Sequence, residues 1–182
     1  MRYTFSLDES DLLTHQLFLV STSKAAIWRR RRSWIIIVLT FIVCSGLFYI
    51  ESNAFLRNYF AILAFISLIF YPLYSRWKYK RHYLRHIREH FSGTTGKQAT
   101  IEFQEEFIFE TDETNSESKI NYSTIESLNE LPNHFIIRLK TGQALVLPKN
   151  KIENIDQLRS DLLELTKRLG VELKNHKNWK WR

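Results

Sequence analysis

The string HIREH, His86 to His90, is the set of residues whose types and spacing come nearest to a known chemistry. It fits H-x-x-E-H, the inverted zinc-peptidase pattern, in which two histidines on one helical face hold the metal and the glutamate serves as base. Such a site needs a dry enclosure and a third protein ligand. Here Arg85 and Arg88 lie alongside, and Gly93 follows three residues after His90, so a solvated polar helix face is the preferred reading. His82 continues the spacing, which leaves a pH-sensitive histidine face as an alternative to the metal.

The remaining candidates are weaker. Glu105 and Glu106 are adjacent, but neighbours along a strand point to opposite faces and do not make a working pair. Cys44 is the only cysteine, which excludes a disulfide within the chain and a multi-cysteine metal site. There is no glycine-rich phosphate loop and no G-x-S-x-G. The expectation is a protein that is not an enzyme, with no catalytic, cofactor-binding or metal residues and no cofactor.

The elements that carry these residues divide by charge. Residues 1–98 hold 14 Lys+Arg against 5 Asp+Glu, whereas residues 99–182 hold 12 against 14. The basic balance therefore belongs to the first half alone. A nucleic-acid-binding domain should itself be basic, so no nucleic-acid partner is expected.

Two apolar runs explain where the basic charge sits. Trp34 to Ile50 has no ionisable side chain except the Cys44 thiol, and Tyr59 to Tyr74 has none except tyrosine. At about 1.5 Å per helical residue each run covers roughly 25 Å, close to a bilayer core of about 30 Å. The segment ESNAFLRN between them allows only a tight turn, which predicts an antiparallel hairpin. Burial of both runs as core helices of a soluble protein is the competing reading.

Orientation follows from lysine and arginine. Lys24 and Arg29, Arg30, Arg31 and Arg32 precede the first run. Arg76, Lys78, Lys80, Arg81, Arg85 and Arg88 follow the second, and the turn holds only Arg57. This bias places both termini in the cytoplasm of a multi-pass cell-membrane protein. Trp28, Trp34, Tyr59, Tyr71, Tyr74 and Trp77 fall at the boundaries, as an aromatic belt would. The topology anchors are thus Arg29 to Arg32, Trp34, Arg76, Trp77, Lys78, Lys80 and Arg81, with anionic lipid headgroups as partners of the basic flanks. A secretory signal is not expected, because some thirty residues, including the acidic DESD of Asp8 to Asp11, precede the first run.

The rest of the chain changes period. Tyr3, Phe5 and Leu7 alternate, then a helix carries Leu13, Leu17 and Val20 on one face. After the second run, Trp77, Leu84, Ile87 and Phe91 continue a helical stripe until SGTTG breaks it. Beyond that, ATIEFQ, FIFET, SKINY, TIESLNEL, HFIIRLK and QALVLP read as six strands of a mostly antiparallel sheet or partly closed barrel, with polar turns at Asp112 to Ser116 and Thr141-Gly142. Asn154 to Leu169 reads as one amphipathic helix: Asn154 and Gln157 form a capping-box-like start, Ile155, Leu158, Leu162, Leu165 and Leu169 a stripe, and Gly170 the stop. In the tail KNHKNWKWR, Trp179, Lys180 and Trp181 are candidates for lipid contact, with packing through a single tryptophan as the alternative.

The succession INYSTIESLNEL, HFIIRLK, QALVLPK and a short terminal helix, behind a basic-flanked two-span hairpin, resembles the bacterial YcxB-like family. Tyr122 stands where such proteins often carry tryptophan. The resemblance extends over nearly the whole chain, implies an integral membrane protein and brings no active residues with it.

The predicted fold class is an α+β membrane protein: a two-helix transmembrane hairpin plus a small antiparallel β-sheet, pleckstrin-homology-like (PH-like) cytoplasmic domain with one C-terminal amphipathic helix. Its divisions are a strand, helix and basic flank over 1–32, the hairpin over 33–75 with spans at about 34–50 and 59–74, a basic juxtamembrane helix over 76–91, a linker over 92–98, the YcxB-like domain over 99–170 and a basic tail over 171–182. The expected function is presentation of a non-catalytic domain at the membrane for protein or lipid interaction, regulatory or scaffolding, with a protein partner or self-association. The alternatives are an oligomeric transport or channel component, for which Thr40, Ser45, Gly46, Ala61, Ala64 and Ser67 offer small contact positions, and a membrane-associated zinc hydrolase.

Overall fold

Alternating and β-branched residues become strands wherever turn chemistry interrupts them. The computed structural model describes every residue except Ser92, Thr94, Thr114, Asn115 and Arg182. Parts of the expected linker, of the Asp112 to Ser116 turn and of the tail therefore lie outside the described residues. All six strands read from the sequence are present: β2 (Gln98–Phe103), β3 (Phe107–Asp112), β4 (Glu117–Asn121), β5 (Ile125–Glu130), β6 (His134–Leu139) and β7 (Ala144–Pro148). Two more join them, β1 (Arg2–Ser6) and β8 (Leu173–Asn175). The helices are α1 (Glu9–Thr22), α2 (Lys24–Ile50), α3 (Ala54–His90) and α4 (Ile155–Leu169).

The chain forms two compact units. The first joins residues from both ends of the sequence, Met1–His15 with His86–Lys180, and the second is Gln16–Arg85 with Trp181.

In the first unit the strands make two four-stranded sheets, in the orders β1-β2-β3-β4 and β7-β6-β5-β8. A five-residue strand such as β1 has no stability alone. It pairs antiparallel with β2, Tyr3 opposite Ile101 and Phe5 opposite Ala99, so the start of the chain is an edge of the sheet that the sequence reading began at residue 99. β8 runs parallel to β5, Leu128 opposite Leu173, and draws part of the expected tail into the other sheet. Pro148, which lacks a ladder N–H, closes the edge strand β7. Gly142 turns the β6–β7 connection at φ 88°, and its N–H donates to the Leu139 carbonyl.

One core joins both sheets and α4. It contains Phe5, Ile101 and Ile108 from one sheet, Leu128, Phe135, Ile137 and Leu147 from the other, and Leu158, Leu162 and Leu165 from the helix. Asn154 immediately precedes α4, and Gly170 ends it in the left-handed conformation, as the sequence indicates. The capping box does not form. Asn154 makes no side-chain cap bond, and Gln157 donates instead to Asp161 Oδ1 at 3.0 Å.

In the second unit α2 and α3 form the hairpin. Phe48 stacks on Phe60 at 5.5 Å, and Ser45 donates to the Arg57 carbonyl at 3.0 Å. α3 is continuous from the apolar run into the basic stretch. Both helices are long and apolar enough to cross a membrane, with mean hydropathies of 2.3 and 1.7 over their most apolar stretches. The core-helix reading fails on exposure: only 6% of each such stretch is buried, and Ile36, Leu39, Val43, Phe65, Ile69 and Phe70 face outward.

Candidate functional site

The basic end of the hairpin gathers residues that the sequence names separately. The register of α2 against α3 brings Arg30, Arg31 and Trp34 to Tyr71, Pro72, Ser75 and Arg76, around a cavity of about 160 Å³. Pro72 cannot donate to the carbonyl one turn before it, so the α3 hydrogen-bond ladder is interrupted beside this cavity. Ser75 is buried, and Arg30 Nη1 and Trp34 Nε1 are buried donors without an acceptor. A second cavity uses the other side of Tyr71 and Ser75, with Ser33, Tyr74, Lys78 and His82.

The other predicted anchors stand outside the first cavity. The Arg32 guanidinium lies over Trp28 at 5.4 Å, Arg81 over Trp77 at 5.2 Å, and the Lys78 ammonium over Tyr74 at 5.8 Å. Arg29 and Lys80 are exposed. The tail divides. Trp181 slides under the Arg30 guanidinium at 5.5 Å and donates its indole N–H to the Arg76 carbonyl at 3.4 Å. Trp179 closes a backbone turn onto the His176 carbonyl, and Lys180 is exposed. Of the three tail candidates, Trp181 thus joins the arginines.

The HIREH histidines come together, rings 4.2 Å apart, with His90 Nδ1 3.1 Å from the His86 carbonyl. Among the described residues no group of three or more His, Cys, Asp or Glu is arranged to hold a metal ion. Glu105 and Glu106 are exposed between β2 and β3.

Sequence reasoning missed the buried ion networks of the first unit. Asp11, on the first turn of α1, accepts from His134 Nε2 at 2.8 Å and from Lys151 Nζ at 2.7 Å, and Lys151 also reaches Asp8 at 2.6 Å. Burial pushes the Asp11 carboxyl up, but the bonds from Lys151, the Asp8 backbone and His134 outweigh it and hold it below the usual range. Burial likewise lowers Lys151, and its bonds to Asp11 and Asp8 more than reverse this. One turn along α1, buried His15 is driven down to about 4 by burial and then by the nearby charges of Arg138 and His134.

Glu130 is the second centre. It is 4% exposed on β5 and receives Lys149 Nζ at 2.9 Å, the Arg159 guanidinium, and Lys177 Nζ at 3.5 Å. Burial raises its carboxyl, and the Lys149 and Arg159 bonds bring it below the ordinary value. A third contact, Tyr3 Oη donating to Asp161 Oδ2 at 2.5 Å, ties β1 to α4. Burial and that carboxylate raise the phenol's pKa. Each network joins segments distant in sequence, so no local spacing could have revealed it.

Tyr122 is buried and donates to the Gln104 carbonyl at 2.7 Å, with Arg168 over its ring at 5.7 Å. It anchors the β2–β3 turn against the start of β5. No curated protein and no solved structure matches the chain. A family model does: residues 103–160, running from the end of β2 into α4, match the model described as YcxB-like protein, a narrower stretch than the whole-chain resemblance.

Proposed function

We propose that this protein is an integral membrane protein whose hairpin crosses the bilayer twice and holds a non-catalytic, PH-like module against the anionic cytoplasmic face. The observation that carries the reading is the pairing of β1 with β2. Residues that precede α2 and residues that follow α3 fold into one sheet. A segment crossing the membrane between them must cross an even number of times, and two apolar helices supply that number. The outward-facing leucines, isoleucines and phenylalanines of both helices form an apolar surface that water would penalise and lipid would accept. The arginines and lysines at the open end give the side by the positive-inside bias, with anionic headgroups as their partners. Two stacked sheets with a C-terminal helix support a PH-like assignment by architecture, a fold suited to holding a binding surface near a membrane.

The test is alkaline-carbonate extraction together with cysteine labelling. In a Cys44→Ser background, Glu51→Cys should react with an impermeant maleimide on intact cells, and Ser10→Cys only after permeabilisation. Release of the chain by carbonate, or labelling of Ser10→Cys on intact cells, would overturn the proposal.

A further inference from the structure

The cations of the two units differ in one respect that points to a ligand. In the first unit Lys149, Arg159 and Lys177 converge on Glu130, and Lys151 on Asp8 and Asp11. In the second, Gln16–Arg85, the single carboxylate is Glu51, at the turn end of both helices. Among the described residues, the cavity that Arg30, Arg31 and Arg76 line has no carboxylate side chain in its wall. Uncompensated positive charge is costly near a low-dielectric medium.

The cavity is also built. Trp181 stacks on the Arg30 guanidinium and is fastened through its indole N–H to Arg76. Arg30 Nη1 and Trp34 Nε1, both in residues of the cavity wall, are buried donors with no acceptor. Each such donor costs about 1–3 kcal/mol until it finds one. Ser75 adds a buried hydroxyl. At about 160 Å³ the space is well above the roughly 10–15 Å³ that a single water needs. Guanidinium forks, an indole N–H and a hydroxyl make a donor-rich set suited to a tetrahedral oxyanion. Tyr71 and Pro72 supply an apolar wall toward the hydrophobic stretch of the helices.

We infer that this interhelical cavity binds the phosphate of an acidic phospholipid, with Arg30, Arg76, Trp34 Nε1 and Ser75 as its donors and Trp181 as a positioning residue for Arg30. The inference rests on the membrane reading above and deepens it: the basic flank contains one shaped headgroup site as well as diffuse charge.

The experiment is native mass spectrometry of the full chain in neutral detergent, titrated with phosphatidylglycerol or phosphatidylcholine. The expected result is about tenfold tighter retention of phosphatidylglycerol. Arg30→Gln and Arg76→Gln should lose most of that preference. Trp34→Phe, which keeps the ring and removes only the N–H, and Ser75→Ala should each lose roughly threefold. Arg32→Gln, on the same basic run but stacked on Trp28, should keep it. If the arginine variants do not fold, the conservative Trp34→Phe carries the test.

Absence of a preference in the wild type, or equal loss in Arg32→Gln and Arg30→Gln, would overturn the site. Displacement by low-millimolar inorganic phosphate would overturn a lipid as its ligand. A chain that resists carbonate extraction and yet shows no preference refutes this inference alone, whereas a chain stripped by carbonate refutes the membrane reading.

Discussion

The two units solve opposite solvation problems with the same residue types. In the sheet unit, apolar side chains turn inward and the ionic groups near the core are paired: Glu130 with three cations, Asp11 with His134 and Lys151. In the hairpin unit, apolar side chains turn outward, and the cations rest on aromatic faces instead of carboxylates, Arg32 on Trp28, Arg81 on Trp77 and Arg30 on Trp181. A paired buried charge fixes geometry and is intolerant of losing its partner. A cation on an exposed ring keeps its charge available to a second partner. The charges of the first unit are thus engaged with one another, while those of the second are left available.

Four measurements break or sharpen this contrast. The largest effect should come from Glu130→Ala, which strands Lys149 and Arg159 beside an apolar core. A loss of about 3–5 kcal/mol is expected in urea unfolding of the detergent-solubilised chain, with faster amide exchange in β5 and β6. A loss below 1 kcal/mol would mean that the network is no more than a surface pair.

Acid should act next. The folded His15 pKa is about 4, below the unfolded value of 6.5. Between these values the unfolded chain takes up the proton first, so stability falls as pH drops from 6.5 towards 4. Across that window the fall is about 3 kcal/mol. Thermal melts at stepped pH should show it, and His15→Leu should flatten it. The lowered Asp11 and Glu130 carboxyls add a further loss only at lower pH, as they become protonated.

Tyr122→Phe should cost about 1 kcal/mol, because the Gln104 carbonyl loses its donor; chemical denaturation reads it directly. The smallest effect belongs to the hairpin. Arg81→Ala should change stability by no more than about 0.5–1 kcal/mol, since it removes an exposed cation–π contact. A larger change in melting would mean that the hairpin charges are structural after all.

How much of this was legible depended on sequence distance. The six central strands and α4 announce themselves, because period and turn residues are local: Gly142 and Gly170 sit where positive φ is required. β1 was readable as an alternating stretch but its partner was not, since the β1–β2 register joins Tyr3 to Ile101. Glu130 lies in TIESLNEL, which resembles a half-exposed strand, yet β5 is buried over nearly its whole length. Its cations come from the residues after β7, from α4 and from beyond β8, and no pattern in β5 points to them. The basic cavity was half legible. Arg30, Trp34 and Arg76 stand out by composition, but only the hairpin register brings them together, and nothing in the sequence assigned Trp181 to Arg30.

The closure of β1 on β2 also sets a schedule. At roughly 5–20 residues per second, a ribosome that has made Tyr3 needs about 5 to 20 s more to make Ile101. Throughout that interval Tyr3 and Phe5, later buried, have no sheet to join. Both long helices are made in the meantime. Completion of the sheet therefore waits on the synthesis of α2 and α3, which lie between its two partner strands.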